Sequence, residues 1–316
     1  MKDETFPLGK AIHWFLEDRA TDIAESTWLT YKSHLYGFLN WLPEDQRTLG
    51  SLSPDAVEDY IRPYKVSQHT AMNKMIALKA LARFLAEKKA WYIGSDEARI
   101  SVLTGTKTPK ASKHGMAGYN DSELRAILDA AAAAPNPDLM RAIFAVELHG
   151  FRSKETRMLL LKNVIFGRRG EMGHFIITDR DATKTAAGVR IVPMEPIARQ
   201  PLMDYITGAR PEHAGDGEET LFLSDEGEPF TDSGWHSMMQ RFKKIAADEG
   251  VKGFKQHRLR VSRAKQLHAN NVPETAILEM LGWEGPAMLR RYLGRISTAQ
   301  LKTYPGVLDK VFGKAM

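Results

Sequence analysis

The chain has 316 residues, 43% hydrophobic and 26% charged, with a formal net charge of +5 and a pI of about 9.2. That length predicts two domains with separate cores, in a composition typical of soluble globular proteins. Zero cysteines exclude disulfides and thiolate metal sites. No apolar run approaches the roughly 20 residues that span a bilayer, and MKDETFPLGK lacks a signal-peptide core, so a cytoplasmic protein is expected. The mild basic excess permits nucleic-acid binding and concentrates between Arg241 and Lys265.

Residues 9–21 and 27–42 read as amphipathic helices, the second with Trp28, Tyr31, Leu35, Phe38, Leu39 and Leu42 at helical spacing. Ser53-Pro54 opens a third helix, and Ser67 caps a fourth whose stripe is Met72, Met75, Ile76, Leu78, Leu81 and Phe84. A Met-rich stripe of this kind is bundle core. Residues 1–104 are therefore expected to form an all-α domain. Residues 105–117 lack apolar periodicity, are rich in Gly, Pro, Thr and Lys, and read as a linker. Lys107, Lys110 and Lys113 there could track phosphates, or simply keep the linker solvated.

The second domain, 118–316, opens with a helix capped at Asp121 and ending before Pro135, then a helix over about 138–149. Residues 175–178 and 189–192 have strand composition and flank a polar turn carrying Lys184. A helix near 195–207, a polar loop over 209–219, a short strand at 221–223 and a helix from Asp232 to Glu249 follow. The last third reads as helices over about 257–270, 274–282, 286–293 and 297–311, with Pro273 and Pro286 in first turns. The fold class is mainly α (α+β), with a small antiparallel sheet in the second domain.

Within that last third lie His257 and Arg260, three apart on one helix face, then Leu281-Gly282-Trp283, then Tyr292 among Arg290, Arg291 and Arg295. Singly, each has an ordinary explanation: a solvated basic face, a core aromatic after a helix end, a half-buried tyrosine. Together, a phenol, an imidazole and fixed cations are what nucleophilic attack on a phosphodiester requires.

The ordered set resembles the tyrosine recombinases, the integrase family related to type IB topoisomerases. The family's H-x-L-R reads His257-Arg258-Leu259-Arg260, its Leu-Gly-His/Trp reads Leu281-Gly282-Trp283, and its nucleophile falls at Tyr292. An upstream arginine box reads Gly150-Phe151-Arg152-Ser153-Lys154-Glu155, and a hairpin lysine falls at Lys184. Two departures are Val261-Ser262, where the family often has His-Thr, and Trp at 283. The first domain resembles the family's core-binding domain, with Thr27, Tyr31, Phe38 and Leu39 in its signature helix.

The resemblance implies a site-specific recombinase that cleaves and rejoins double-stranded DNA through a 3′-phosphotyrosine at Tyr292. Arg152 and Arg260 would hold the non-bridging oxygens, because a guanidinium is always charged and offers a planar fork. Glu155 would orient the site, and Trp283 would donate its indole N–H to the phosphate. Lys184 would protonate the leaving oxygen, favoured over Lys154 and Lys162 by its hairpin position, with Arg190 in support. His257 could act as base or as phosphate donor, and Tyr304 is the rival nucleophile. Arg258 and Arg263 are further DNA-contact candidates. No phosphate-cradling G-x-x-x-x-G-K-[ST] loop or compact metal-ligand motif occurs, so neither cofactor nor metal is expected. A homotetramer on two DNA sites, monomeric in solution, is implied, with residues from about 296 docking on a neighbour. A transposase or topoisomerase of the same chemistry, or a DNA-binding regulator without cleavage, are the alternatives.

Overall fold

The computed structural model describes residues 5–62, 67–88, 107–109, 117–168, 171–178, 183, 186–210, 214–215 and 217–293. Contacts divide the chain into two compact units, Met1–Lys113 and His114–Met316. Lys110, Lys113, Lys184, Arg295, Tyr304 and the helix expected over 297–311 lie outside the described residues.

The first unit is a helical bundle, as its periodicity predicts. α1 (Leu8–Arg19) and α2 (Glu25–Trp41) pack with α3 (Pro54–Ile61) and α4 (Gln68–Lys88). Phe15 of α1 meets Phe84 of α4 edge-on at 5.6 Å, and Trp28 Nε1 donates to the Leu16 carbonyl at 2.8 Å. Ser53 Oγ accepts from the Ala56 N–H at 3.3 Å and so starts α3, with Pro54 in its first turn. The α4 stripe needs one correction. Ala71, Met75, Leu78, Ala82 and Leu85 form the buried face, whereas Ile76 is 41% exposed. Ile76 follows Met75 by one residue, about 100° around the helix, which turns it away from the bundle.

The second unit begins with α5 (Asp121–Ala132), capped by Asn120 rather than Asp121. The Asn120 side chain accepts from the Glu123 N–H at 2.8 Å, and the Glu123 carboxylate accepts from the Asn120 N–H at 2.8 Å. α6 (Pro137–Glu147) ends two residues before the expected 149, and Gly150 then turns at φ 86°. A side chain there would also strike Leu281. α7 (Ser153–Arg157) follows, and then β1 (Val164–Ile165), β2 (His174–Ile177) and β3 (Arg190–Pro193). These make one antiparallel sheet in the order β1-β2-β3, with Phe175 opposite both Val164 and Val192.

α8 (Pro196–Asp204) runs into a π-turn over Tyr205–Ala209. The expected strand at 221–223 is a correction. All three residues are buried, but only the isolated bridges Leu160–Thr220 and Leu223–Pro229 form there. α9 (Asp232–Asp248) is capped by Thr231, whose Oγ1 accepts from the Gly234 N–H at 3.1 Å. α10 (Gln256–Ala269), α11 (Glu274–Leu281) and α12 (Pro286–Leu293) complete the unit. Pro273 stands just outside α11 instead of in its first turn, while Pro286 opens α12.

Phe144, Phe175, Phe222, Phe242 and Phe254 anchor the main core of this unit. Val261, Ile277, Leu281, Leu289, Trp283 and Tyr292 form a smaller cluster that binds α10, α11 and α12 together. The architecture is mainly helical with a small antiparallel sheet. Among the described residues no helix is long and apolar enough to cross a membrane.

Candidate active site

Arg152 ends the turn before α7, and its position is fixed from both sides. Its backbone N–H donates to Glu155 at 2.8 Å, its Nη1 donates to Glu155 Oε1 at 2.5 Å, and its Nη2 donates to the Gly282 carbonyl at 3.0 Å. Glu155 is only 1% exposed. It also accepts from Arg190 at 2.9 and 3.2 Å and lies 3.9 Å from Arg260. Burial alone would raise the Glu155 carboxyl, but hydrogen bonds from Arg190 and the charges of Arg190, Arg152 and Arg260 outweigh it and hold the group below its ordinary range.

Arg260, on α10, is 1% exposed. It donates to the Gly150 carbonyl at 2.5 Å and to the Leu281 carbonyl, with its guanidinium 5.2 Å from the Trp283 ring centre. Burial first, and the neighbouring Arg152 second, push it down to about 9. Three guanidiniums thus share one carboxylate, leaving an excess of two positive charges. An anion arriving beside Arg152 and Arg260 would relieve that repulsion.

Tyr292 on α12 is 2% exposed. Its ring stacks on Trp283 at 5.1 Å, and its hydroxyl is paired with His257 Nε2 at 2.8 Å. Burial raises the Tyr292 pKa, although Arg260, Arg291 and Arg152 pull it down. His257 keeps an exposed edge, yet desolvation and then Arg260, Arg291 and Arg152 lower its pKa from 6.5. The pair therefore rests as neutral phenol and neutral imidazole, and in the Nδ1–H tautomer Tyr292 is the donor. The arrangement can pass the phenolic proton to His257 as the oxygen attacks an electrophile.

Five of the sequence-derived residues, Arg152, His257, Arg260, Trp283 and Tyr292, thus come together. Lys107 is exposed in the segment before the second unit. Arg258 stacks its guanidinium 3.9 Å over Tyr119 and donates to the Ala117 and Gly118 carbonyls, while Arg263 donates to Glu195 at 2.6 Å. Both have partners within the chain. Lys162, the competitor for the lysine role, is paired with Glu219 at 2.7 Å, and Lys154 is exposed.

Four residues support the site in ways that sequence reasoning did not foresee. Arg190, 7% exposed, donates to the Met280 carbonyl at 2.8 Å and the Gly188 carbonyl at 2.7 Å as well as to Glu155. It therefore ties β3 to the arginine box and to the end of α11. Gly282, at φ 60°, lets that junction close, since a side chain would sit 2.8 Å from the Ala187 carbonyl. Tyr119 clamps Lys255 at the start of α10, its hydroxyl accepting from the Lys255 N–H at 2.7 Å and donating to the Lys255 carbonyl at 3.2 Å. Ser262, at the departure from the family pattern, accepts from the Tyr119 N–H at 2.6 Å and donates to the Arg258 carbonyl at 2.9 Å. A hydroxyl at 262 thus fastens α10 to the start of the unit. Among the described residues no group of histidine and carboxylate side chains could hold a metal ion.

A buried tyrosine paired with an imidazole, beside guanidiniums in excess of their carboxylate, is an arrangement suited to attack on a phosphodiester. The Phage integrase family matches residues 120–296, more than half of the chain, and its N-terminal SAM-like domain matches residues 15–89. The chain belongs to the phage integrase family. As a member it is a site-specific DNA recombinase of the tyrosine class.

Solved structures agree in fold. XerH site-specific recombinase, in a pre-cleavage complex with its difH substrate, is 17% identical with a TM-score of 0.72, over 98% of this chain and 98% of that one. The Tn1549 transposon integrase with transposon right end DNA is 16% identical with a TM-score of 0.71, over 94% and 98%. A lambda integrase dimer bound to a core site is 17% identical with a TM-score of 0.65, over 92% of this chain and 79% of that one. A comparison with curated proteins found no match.

Proposed function

We propose that Tyr292 is the nucleophile of a strand exchange in which its phenolic oxygen bonds to a DNA phosphorus as the bond to the 5′-oxygen breaks. The phenolic proton passes to His257, and the departing 5′-oxygen takes a proton from Lys184. Arg152 and Arg260 hold the non-bridging oxygens and Trp283 adds its indole N–H. The covalent 3′-phosphotyrosine keeps the phosphodiester energy, so attack by a 5′-hydroxyl reverses the sequence and rejoins a strand without nucleotide or metal. The observation that carries this reading is the 2.8 Å pairing of Tyr292 with His257 beside Arg260.

The partner is double-stranded DNA, with Lys107, Lys110, Lys113, Arg258 and Arg263 as contact candidates. The solved Tn1549 integrase is described in complex with transposon right end DNA, XerH as bound to its difH substrate and the lambda integrase dimer as bound to a core site. A homotetramer on two sites, with residues 296–316 docked on a neighbour, and a cytoplasmic location belong to the same proposal.

The test is incubation with target DNA nicked near the cleavage point, which traps the adduct, followed by a denaturing gel. Wild type should give a protein–DNA adduct. Tyr292→Phe should bind the same DNA and give none. An adduct in that variant would move the nucleophile elsewhere, with Tyr304 next.

A further inference from the structure

Glu147, the last residue of α6, is an acid that is only 2% exposed. Its Oε1 accepts from Gln256 Nε2, while Oε2 has no hydrogen-bond partner. Gln256 Oε1 accepts in turn from Ser153 Oγ at 3.0 Å, and Ser153 Oγ accepts from Trp235 Nε1 at 2.8 Å. The donors all point one way, from the indole through the hydroxyl and the amide to the carboxyl. An amide side chain can accept from a hydroxyl at one atom and donate to a carboxyl at the other, which an aliphatic side chain cannot. Ser153 immediately follows Arg152, and Gln256 immediately precedes His257. The chain of bonds therefore crosses between the two segments that carry the cations and the imidazole.

We propose that Glu147 and Gln256 are positioning residues for strand cleavage, setting through Ser153 the separation between the Arg152 turn and the start of the His257 helix. This rests on the reading of Tyr292, His257, Arg152 and Arg260 as the reacting group of side chains. Full burial pushes the Glu147 carboxyl up to about 8, against the smaller opposing effect of the Gln256 hydrogen bond. The end of α6 adds the negative pole of a helix beside it. At neutral pH the group is therefore a neutral acceptor, which is the state a glutamine would copy. An aliphatic residue would instead leave the Gln256 amide without its acceptor and free to turn. A shift of about an ångström between reacting groups costs on the order of a hundredfold in rate.

The experiment measures single-turnover cleavage of nicked target DNA, DNA affinity and melting temperature for the full-length chain. Glu147→Leu and Gln256→Leu should each cleave about tenfold to a hundredfold more slowly with DNA affinity unchanged. Glu147→Gln should restore cleavage to within about threefold of wild type, which a role through charge would not allow. The double variant Glu147→Leu, Gln256→Leu should be no slower than the worse single variant, because both cut one chain of bonds. Should Glu147→Leu fail to fold, Ser153→Ala cuts the same chain at its middle and must show the same rate loss at unchanged affinity.

Wild-type cleavage rates in Glu147→Leu, failure of Glu147→Gln to rescue, or fully additive losses in the double variant would each overturn the proposal. A wild-type chain that forms no adduct would instead remove the parent reading of the site, so the two failures are distinguishable.

Discussion

Glu155→Gln tests whether one carboxylate organises the site. The side chain at 155 is 1% exposed and accepts from Arg190 Nη2 at 2.9 Å, Arg190 Nη1 at 3.2 Å and Arg152 Nη1 at 2.5 Å. Glutamine keeps the shape but offers a single acceptor and turns an N–H₂ toward a guanidinium. It also leaves three buried or half-buried guanidiniums with no counter-charge. Removing one partner from a buried ion pair typically costs about 3–5 kcal/mol, which in a unit of this size lowers the melting temperature by roughly 6–20 °C.

The effect should depend on pH. The folded-state pKa of Glu155 lies below its ordinary 4.5, so its stabilisation is complete above 4.5 and is lost as pH falls through the folded value. Scanning calorimetry of the full chain from pH 3.5 to 8 should therefore show the widest gap between wild type and variant near neutrality, narrowing below pH 4.5. A gap under about 2 °C at neutral pH, or one of constant size across the range, would refute the argument. Cleavage should fall with stability, since Arg152 and Arg190 both lose the atom that aims them.

His149 provides a second acid-sensitive contact. It is 2% exposed, with Nδ1 at 2.7 Å from the Ala145 carbonyl and Nε2 accepting from the Glu195 N–H at 2.8 Å. Burial lowers its pKa from 6.5 to about 4, so its contribution is complete above 6.5 and drains away toward pH 4, by up to about 3 kcal/mol. His149→Gln should flatten urea midpoints between those pH values; an unchanged slope would contradict this. For Lys184, replacing the 5′-bridging oxygen with sulfur should rescue Lys184→Ala, because a thiolate leaves unprotonated, while the general-acid loss on ordinary DNA is about a hundred- to ten-thousandfold. Equal defects on both substrates would reduce Lys184 to a phosphate contact.

The candidate site residues were legible because the proposed chemistry tolerates few substitutes at each place. His257, Arg260, Trp283 and Tyr292 stood out by type and order as a set, Arg152 was found through the family resemblance, and the structure brings all five together. Helices with clear stripes were legible too. Their ends were less so: at both Asn120-Asp121 and Thr231-Asp232 two good capping residues adjoin, and in each case the first one bonds to the helix. β1, two residues long, is too short to show alternation. Leu221-Phe222-Leu223 has strand composition, but its neighbours offer only isolated bridges. Arg190 and Tyr119 escaped notice as structural ties because their partners lie far off in sequence, at Glu155, Met280 and Lys255. Local patterns carry no trace of such pairings.

The sequence also left open whether His257 takes a proton or holds the phosphate, and the two roles demand opposite protonation states. A phosphate donor gains from the imidazolium, so its rate would rise as pH falls through the His257 pKa. A base must be neutral, so its rate would fall. Desolvation and the charges of Arg260, Arg291 and Arg152 all lower the pKa from 6.5, which makes the neutral ring dominant at physiological pH. Tyr292 points its hydroxyl at Nε2 from 2.8 Å, and burial raises its own pKa, so the phenol arrives with its proton still on. Both observations favour the base. Single-turnover cleavage at saturating DNA should then lose about tenfold per pH unit below the His257 pKa, which lies under 6.5, and level off above it. His257→Ala should remove that inflection while leaving DNA affinity unchanged. A rate that climbs toward acid in wild type, or an acid limb that survives in His257→Ala, would assign the proton to another acceptor and His257 to the phosphate.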